Sequence, residues 1–465
     1  MSDSKGSVDD AAISSQVDQP DSPLVTQLPW PPGFTGRLAN FIYHSSYSPV
    51  PEVAIVASLA LMAGVSGRAY RTHTGKDLAL YIILIAKSGI GKDGIHEGIP
   101  KLVRMGNVPL AADFVRQTDF VSGPALHKAI IRTPGFLYLK GEFGRQLKRM
   151  ANPMDTPMQE LRTVMTNVYA KSYYEGRDYS NSENSMLGVE WPALSFLGET
   201  TPGSFLDSLT DDMMEDGFMS RFFTVSHTGQ RPKPNEAQSI ELEPNEARYW
   251  KELLEHTTRY QNPINMPAAG HVGFRNSDAY DKIKKFENDC IDCLNSTDDE
   301  WVRQMYNRAH LKALKIASLL AVADNYAVPK IDLGHVAWAI TWVREDMAIF
   351  QRRSGRGEIG DSDQSRERRL ADAIERYLTQ GAPDGYKIPP AMKLAGVVPR
   401  KYLQISVQRV SAFTKHKLGQ NAALDLTLRS MVDSGYLKEE LKDRMVEQFN
   451  FHGKCYRVLA LPPAR

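Results

Sequence analysis

The chain has 465 residues, 42% apolar and 24% charged, with a net charge of +1. That balance is ordinary for a soluble globular protein of two or three domains. Its longest apolar run, Val53 to Val65, falls short of the ~20 residues of a spanning helix, so a buried helix is expected there and no membrane segment. Three cysteines fit a reducing, cytoplasmic setting. Cys290 and Cys293 form a single CxxC on a helix-like stretch, expected to be structural because no second ligand pair accompanies them.

Residues 1–27 are Ser-, Asp- and Gln-rich without an apolar signal core, and read as a disordered tail. From 28 to 240 an α/β core is expected. A Pro/Gly-rich stretch, LPWPPGFTG, leads into helices near Arg37 to Ser46 and Pro51 to Ser66. LALYIILIA then reads as a strand covered on both faces, followed by a glycine turn and a helix. Further buried strands are expected at Gly135 to Gly144, Pro192 to Thr201 and Arg221 to His227, with a helix from Met158 to Tyr174. Strands alternating with helices imply a parallel sheet with right-handed crossovers. Residues 241–353 read as mostly helical, 354–365 as a linker, and 366–465 as helices ending in a strand pair, the order of a winged-helix module.

The small net charge hides an asymmetry. From Ser365 to Arg465 there are eighteen Lys and Arg against ten Asp and Glu, so this segment carries +8 and the remainder −7. The C-terminal module is therefore expected to meet an anionic partner, DNA first, with protein binding as the alternative. Arg400, Lys401, Arg409, Lys415, Lys417 and Arg429 are its candidate phosphate contacts, or else a solvated face.

Between the first buried strand and its helix lies Ala86-Lys87-Ser88-Gly89-Ile90-Gly91-Lys92-Asp93. The phosphate-loop pattern asks for Gly, four residues, Gly-Lys, then Ser or Thr. Ser88, Gly89, Ile90, Gly91 and Lys92 keep its core, whose amides can wrap the phosphates of ATP at a helix N-terminus. Ala86 replaces the first glycine, a minor departure where no positive φ is needed. Asp93 replaces the hydroxyl that ligates Mg²⁺, and either binds the metal more strongly or repels the nucleotide. The partner acidic pair, expected at the end of the second strand, is reduced to Gly141-Glu142, with Glu142 in the place of the residue that polarises the attacking water. Asp93 and Gly141 either compensate for each other or mark a lost ATPase. His96, one turn into the loop helix, reads as helix surface.

With PWPPGFTGRLANFI, SGIGK, GEFG, LGETTPGSF, GFMSRFF and NRAHLKALKIASLLAV in this order, the chain from about Leu28 to Arg352 resembles the helicase-like P-loop proteins of phages, prophages and plasmids, related to RecA-type and AAA+ ATPases. The resemblance implies a RecA/AAA+-like parallel sheet and an oligomeric ring or filament. It also implies a phage or mobile-element replication protein that moves on or remodels DNA, or a non-hydrolysing initiator, adaptor or scaffold, with other replication proteins as further partners. It places Thr200 and Thr201 where a polar sensor contacts the γ-phosphate, with a helix cap as the alternative. Arg221 falls where the family keeps a residue resembling an arginine finger in trans, or else makes a surface salt bridge. Arg308 lies at a second sensor position. The stretch Lys171 to Ser185 reads either as a nucleic-acid-facing loop, with Lys171, Tyr173, Tyr174 and Arg177 in contact, or as a hairpin at a subunit interface.

Overall fold

The computed structural model describes residues 28–462 apart from 179–184, 207, 239, 262–269, 298, 356–362, 409, 415 and 417. The predicted N-terminal tail and most of the predicted linker, as well as Arg409, Lys415 and Lys417, thus lie outside the described residues.

Two helices open the chain, α1 (Gly33–Ser45) and α2 (Pro51–Ser66). Gly33 has φ +62, and a Cβ there would strike the Asp324 carboxylate. That carboxylate accepts from the Phe34 N–H at 2.7 Å and so caps the helix start, while its other oxygen meets His335 Nε2 at 3.1 Å. The Pro/Gly stretch is thereby explained by a docking contact. The run Val53 to Ser66 is buried throughout and packs on the sheet, as its unbroken apolar character implies. No helix among the described residues is long and apolar enough to cross a membrane.

In chain order the core continues with β1 (Tyr70–Arg71), β2 (Tyr81–Ala86), α3 (Asp93–Met105), β3 (Val115–Arg116), α4 (Gly123–Arg132), β4 (Gly135–Lys140), α5 (Phe143–Met150) and α6 (Thr156–Val168). A short antiparallel pair, β5 (Tyr173–Tyr174) and β6 (Val189–Glu190), precedes β7 (Ala193–Thr200), α7 (Pro202–Leu206), α8 (Asp211–Glu215) and β8 (Phe222–His227). The five longer-range partners form one parallel sheet in the order β3-β4-β7-β2-β8. The loop strand β2 is thus separated from β4 by β7. This sheet, flanked by helices, is the parallel α/β arrangement that the alternation of strands and helices implied.

A mostly helical continuation follows: α9 (Pro244–Thr258), β9 (Gly270–His271), β10 (Gly273–Phe274), α10 (Ser277–Asn295), α11 (Glu300–Asp324), β11 (Lys330–Ile331) and α12 (Leu333–Gly355). A two-residue parallel pair, β1 with β9, stitches it to the core, and a second, β10 with β11, joins two of its own segments. Two buried ion pairs do more. Lys312 Nζ lies 2.8 Å from Asp346 Oδ2, whose Oδ1 accepts from both N–H and O–H of Thr224 on β8. Lys315 Nζ lies 3.0 Å from Asp77 Oδ1 and donates to the Ala79 carbonyl just before β2. Both lysines belong to the NRAHLKALKIASLLAV segment, whose charged letters therefore serve the helix–sheet junction. Cys290 on α10 is buried, which pushes its thiol up to about 12 and leaves it inert.

The C-terminal part has its own core around Leu370, Ile374, Leu403, Phe413 and Leu428. It comprises α13 (Asp363–Gln380), α14 (Pro390–Leu394), β12 (Val397–Pro399), α15 (Arg400–Ser406), α16 (Ser411–Thr414), α17 (Gln420–Asp433), β13 (Leu437–Glu439), α18 (Lys442–Phe449) and β14 (Cys455–Val458). The strands form an antiparallel sheet in the order β12-β14-β13.

Several expectations are corrected. The helix expected from Met158 to Tyr174 stops at Val168, because Ala170 takes φ +59 and Tyr173–Tyr174 turns into a strand. The expected C-terminal strand pair exists, but α18 is inserted in it and ends on Asn450 at φ +50, a left-handed cap suited to Asn. PPAMKLAGVV divides into one helical turn and a strand.

Candidate functional site

The backbone from β2 to α3 makes the strand-to-helix turn that the glycines imply. Gly89 and Gly91 have φ +75 and +107, and a Cβ on Gly91 would lie 2.4 Å from the Ser48 carbonyl oxygen, so only glycine fits there. Ser88 and Gly89 form a turn that the Ile90 N–H closes, and among the described residues none accepts a hydrogen bond from the backbone N–H of Gly89, Gly91 or Lys92. These donors stand at the positive end of α3.

Lys92 closes the turn with its ammonium 3.4 Å from Glu199 Oε2. His96, expected as helix surface, turns inward and meets Glu199 Oε1 at 3.3 Å. Glu199 is the next-to-last residue of β7, the strand beside the loop strand, where it pairs in register with Leu84. Its side chain is 13% exposed. Burial alone raises the pKa of this carboxyl, but the His96 hydrogen bond and the Lys92 charge outweigh it and hold the group below the usual range. Oε2 is buried, with the Lys92 ammonium at 3.4 Å as its partner outside strict hydrogen-bond geometry.

A cavity of about 230 Å³ opens beside the loop, walled by Ser88 and Lys92 on one side, Glu142, Gly144 and Arg145 on another, and Thr200, Thr201 and Ser204 on the third. The structure thus brings together Ser88, Lys92, Thr200, Thr201 and Glu142. Gly144 permits this approach, since a Cβ on it would lie 2.3 Å from both Thr200 Oγ1 and Ser204 Oγ. Thr201 also begins α7, its carbonyl accepting from the Phe205 N–H. Glu142 precedes α5 in a left-handed conformation, φ +51, which costs a non-glycine residue about 1–2 kcal/mol. Its carboxylate is 70% exposed and pairs with Arg145 at 3.0 Å. Asp93 is exposed in the first turn of α3, where an acid complements the helix dipole, and it does not line this cavity.

Arg221 and Arg308 are not part of this cluster. Phe222 pairs with Tyr81, at the end of β2 opposite the loop, so Arg221 sits roughly 17 Å from Ala86 at ~3.3 Å per residue. Its guanidinium is tucked against the Gly217 carbonyl. Burial first, then the neighbouring Arg308 charge, lowers its pKa.

Among the DNA-contact candidates, Lys171 and Tyr173 are exposed on the β5–β6 hairpin and Arg177 is half-buried. Tyr174 is buried, with its ring 4.6 Å from that of His127, and is not free to stack on a base. Lys401 and Arg429 are exposed on α15 and α17, whereas Arg400 is held by Asp425 at 2.7 Å.

Two residues near the loop escaped the sequence reading. Glu199 was hidden in LGETTPGSF, where the threonines drew attention; the available signal was an acid at the end of an otherwise apolar strand. Arg231 follows β8 on a strap pinned by Asn235 to the His44 and Tyr47 carbonyls, and its Nη1 lies 4.0 Å from where a Gly89 Cβ would be. No periodicity marks it.

No family model matches the chain, and no curated protein matches it. Among solved structures it is similar to the Aeropyrum pernix ORC2 protein in its ADPNP–ADP complexes, at 13% identity over 89% of this chain and 90% of that one, with a TM-score of 0.24. The ADP form of the same protein gives 13% identity over 88% and 89%, also at 0.24. The resemblance to phage and plasmid P-loop proteins rests on the quoted motifs.

Proposed function

We propose that the chain is a nucleotide-binding P-loop protein that acts on DNA in the replication of a phage or mobile element, as an oligomer. The observation that carries this reading is the turn at Gly89 to Lys92: the unpaired amides of Gly89, Gly91 and Lys92 at a helix start, two glycines in left-handed backbone, and a lysine at the mouth of a polar cavity. The donor set fits a nucleoside di- or triphosphate such as ATP, with the amides and Lys92 on the phosphates and Arg231 beside the loop. Bound Mg²⁺ supplies charge neutralisation on the phosphates. Ser88, Thr200, Thr201 and Ser204 offer hydroxyls to the terminal phosphate.

The C-terminal module, with +8 net charge and Lys401 and Arg429 exposed, is the reading's DNA-binding part, as a winged helix carrying a helix within its wing. Arg221 acts, on this reading, in a neighbouring subunit's site after leaving Gly217. A second reading, a non-hydrolysing initiator or scaffold, is favoured by one observation: the Glu142 carboxylate at the cavity wall is 70% exposed and held in an ion pair by Arg145.

Titration of the full-length protein with fluorescent ADP and ATP tests nucleotide binding, and saturable binding lost in Lys92→Ala is expected. Turnover with and without DNA separates the two readings. Lys401→Glu with Arg429→Glu is expected to weaken DNA binding and flatten its salt dependence. Unchanged affinity removes the C-terminal assignment.

A further inference from the structure

Position 141 is where strand β4 ends, and it carries glycine where an acid is expected. Gly141 does not have a positive φ, so a side chain is conformationally allowed there. A Cβ built on it lies 3.5 Å from Glu199 Oε1 and 3.7 Å from His96 Nε2, both ordinary contact distances, with nothing nearer. The space that an acid on β4 would enter already contains a carboxylate, reached from the adjacent strand. The register explains how: Gly198 of β7 pairs with Lys140 of β4, so Glu199 is level with Gly141 at the same edge of the sheet. Glutamate has the reach to cross one strand.

We propose that Glu199 supplies the carboxylate that position 141 lacks, binding the divalent cation that accompanies a nucleoside phosphate in the loop. The assignment rests on the nucleotide-binding reading. Three features support it. Glu199 Oε2 is buried and meets only the loop lysine, at 3.4 Å and outside strict hydrogen-bond geometry, so a cation or its bound water can take that lysine's place. His96 holds the other oxygen and orients the group, in the manner of an outer-shell partner. The strand that bears it lies directly between the loop strand and β4, so the carboxylate faces both. His96 is a positioning residue here, and Lys92 is the counter-charge that the cation and phosphates displace.

The test compares ADP affinity of the full-length protein in excess Mg²⁺ and in excess EDTA. Wild type is expected to bind ADP more tightly with Mg²⁺. Glu199→Gln is expected to lose that enhancement by about tenfold or more while keeping metal-free affinity. His96→Gln, whose side chain is 31% exposed and so tolerant of change, is expected to lose part of it. Gly141→Asp combined with Glu199→Ala is expected to restore it, because the acid is returned to β4 at the same point in space.

If Glu199→Gln and His96→Gln keep the full Mg²⁺ enhancement, shifting both affinities equally or not at all, Glu199 is only the counter-ion of Lys92 and the proposal is overturned while nucleotide binding stands. If wild type binds ADP under neither condition, both fall.

Discussion

Two lysine–carboxylate pairs in this molecule look alike in sequence and differ in what surrounds them. At the junction of β8 with α11 and α12, Lys312 and Asp346 are closed off: Asp346 accepts from Thr224 twice and from Lys312, and Lys312 also donates to the Phe222 carbonyl. At the loop, the partner of Glu199 Oε2 is the Lys92 ammonium at 3.4 Å, and the backbone donors of Gly89, Gly91 and Lys92 stand free beside them. A buried pair with both carboxylate oxygens engaged by the fold, as in Asp346, is architecture, since removing one partner strands the other charge. A pair with free donors beside it is arranged for something that arrives.

Breaking the closed pair has the largest expected effect. Asp346→Ala is expected to destabilise the fold by about 3–5 kcal/mol in urea unfolding, because Lys312 is left buried without its carboxylate. Breaking the open pair acts on binding instead. Lys92→Ala is expected to weaken ADP binding by at least about a hundredfold, near 3 kcal/mol, with unfolding midpoint little changed. An equal loss of stability in both variants would erase the distinction.

Asp324 sharpens the comparison as a third closed acid. Its burial raises its pKa, but the hydrogen bonds from His335 and the Phe34 N–H prevail and hold it below the ordinary carboxylate value. A depressed folded pKa contributes stability that is present above the unfolded value of about 3.9 and is lost as pH falls through the folded one. Asp324→Asn is therefore expected to lower stability at neutral pH and to flatten its decline in urea melts below about pH 4. The smallest effect belongs to Glu142. Replacing it by glycine relieves the left-handed strain and is expected to change stability by under about 1 kcal/mol, chain entropy offsetting part of the gain. A marked loss of turnover in that variant would return Glu142 to the chemistry despite its exposure.

The loop and the sheet were legible because their signals are local. An unbroken apolar run, two glycines of positive φ and a helical period follow one another between Tyr81 and Met105, and backbone sterics leave them few conformations. Glu199 was not legible, because its meaning comes from lateral neighbours: strand register sets it level with Gly141, 58 positions earlier. Asp346 and Asp77 were invisible as partners of Lys312 and Lys315 for the same reason. Two-residue β3 is too short to carry a period, and Tyr174 looked like a stacking residue until the hairpin buried it against His127.

The account stands on the anion cup at Gly89 to Lys92, and equilibrium titration of the full-length protein with ADP in Mg²⁺ tests it most directly. Saturable one-to-one binding that Lys92→Ala abolishes is the predicted result. Absence of binding, or binding that Lys92→Ala leaves intact, would contradict it.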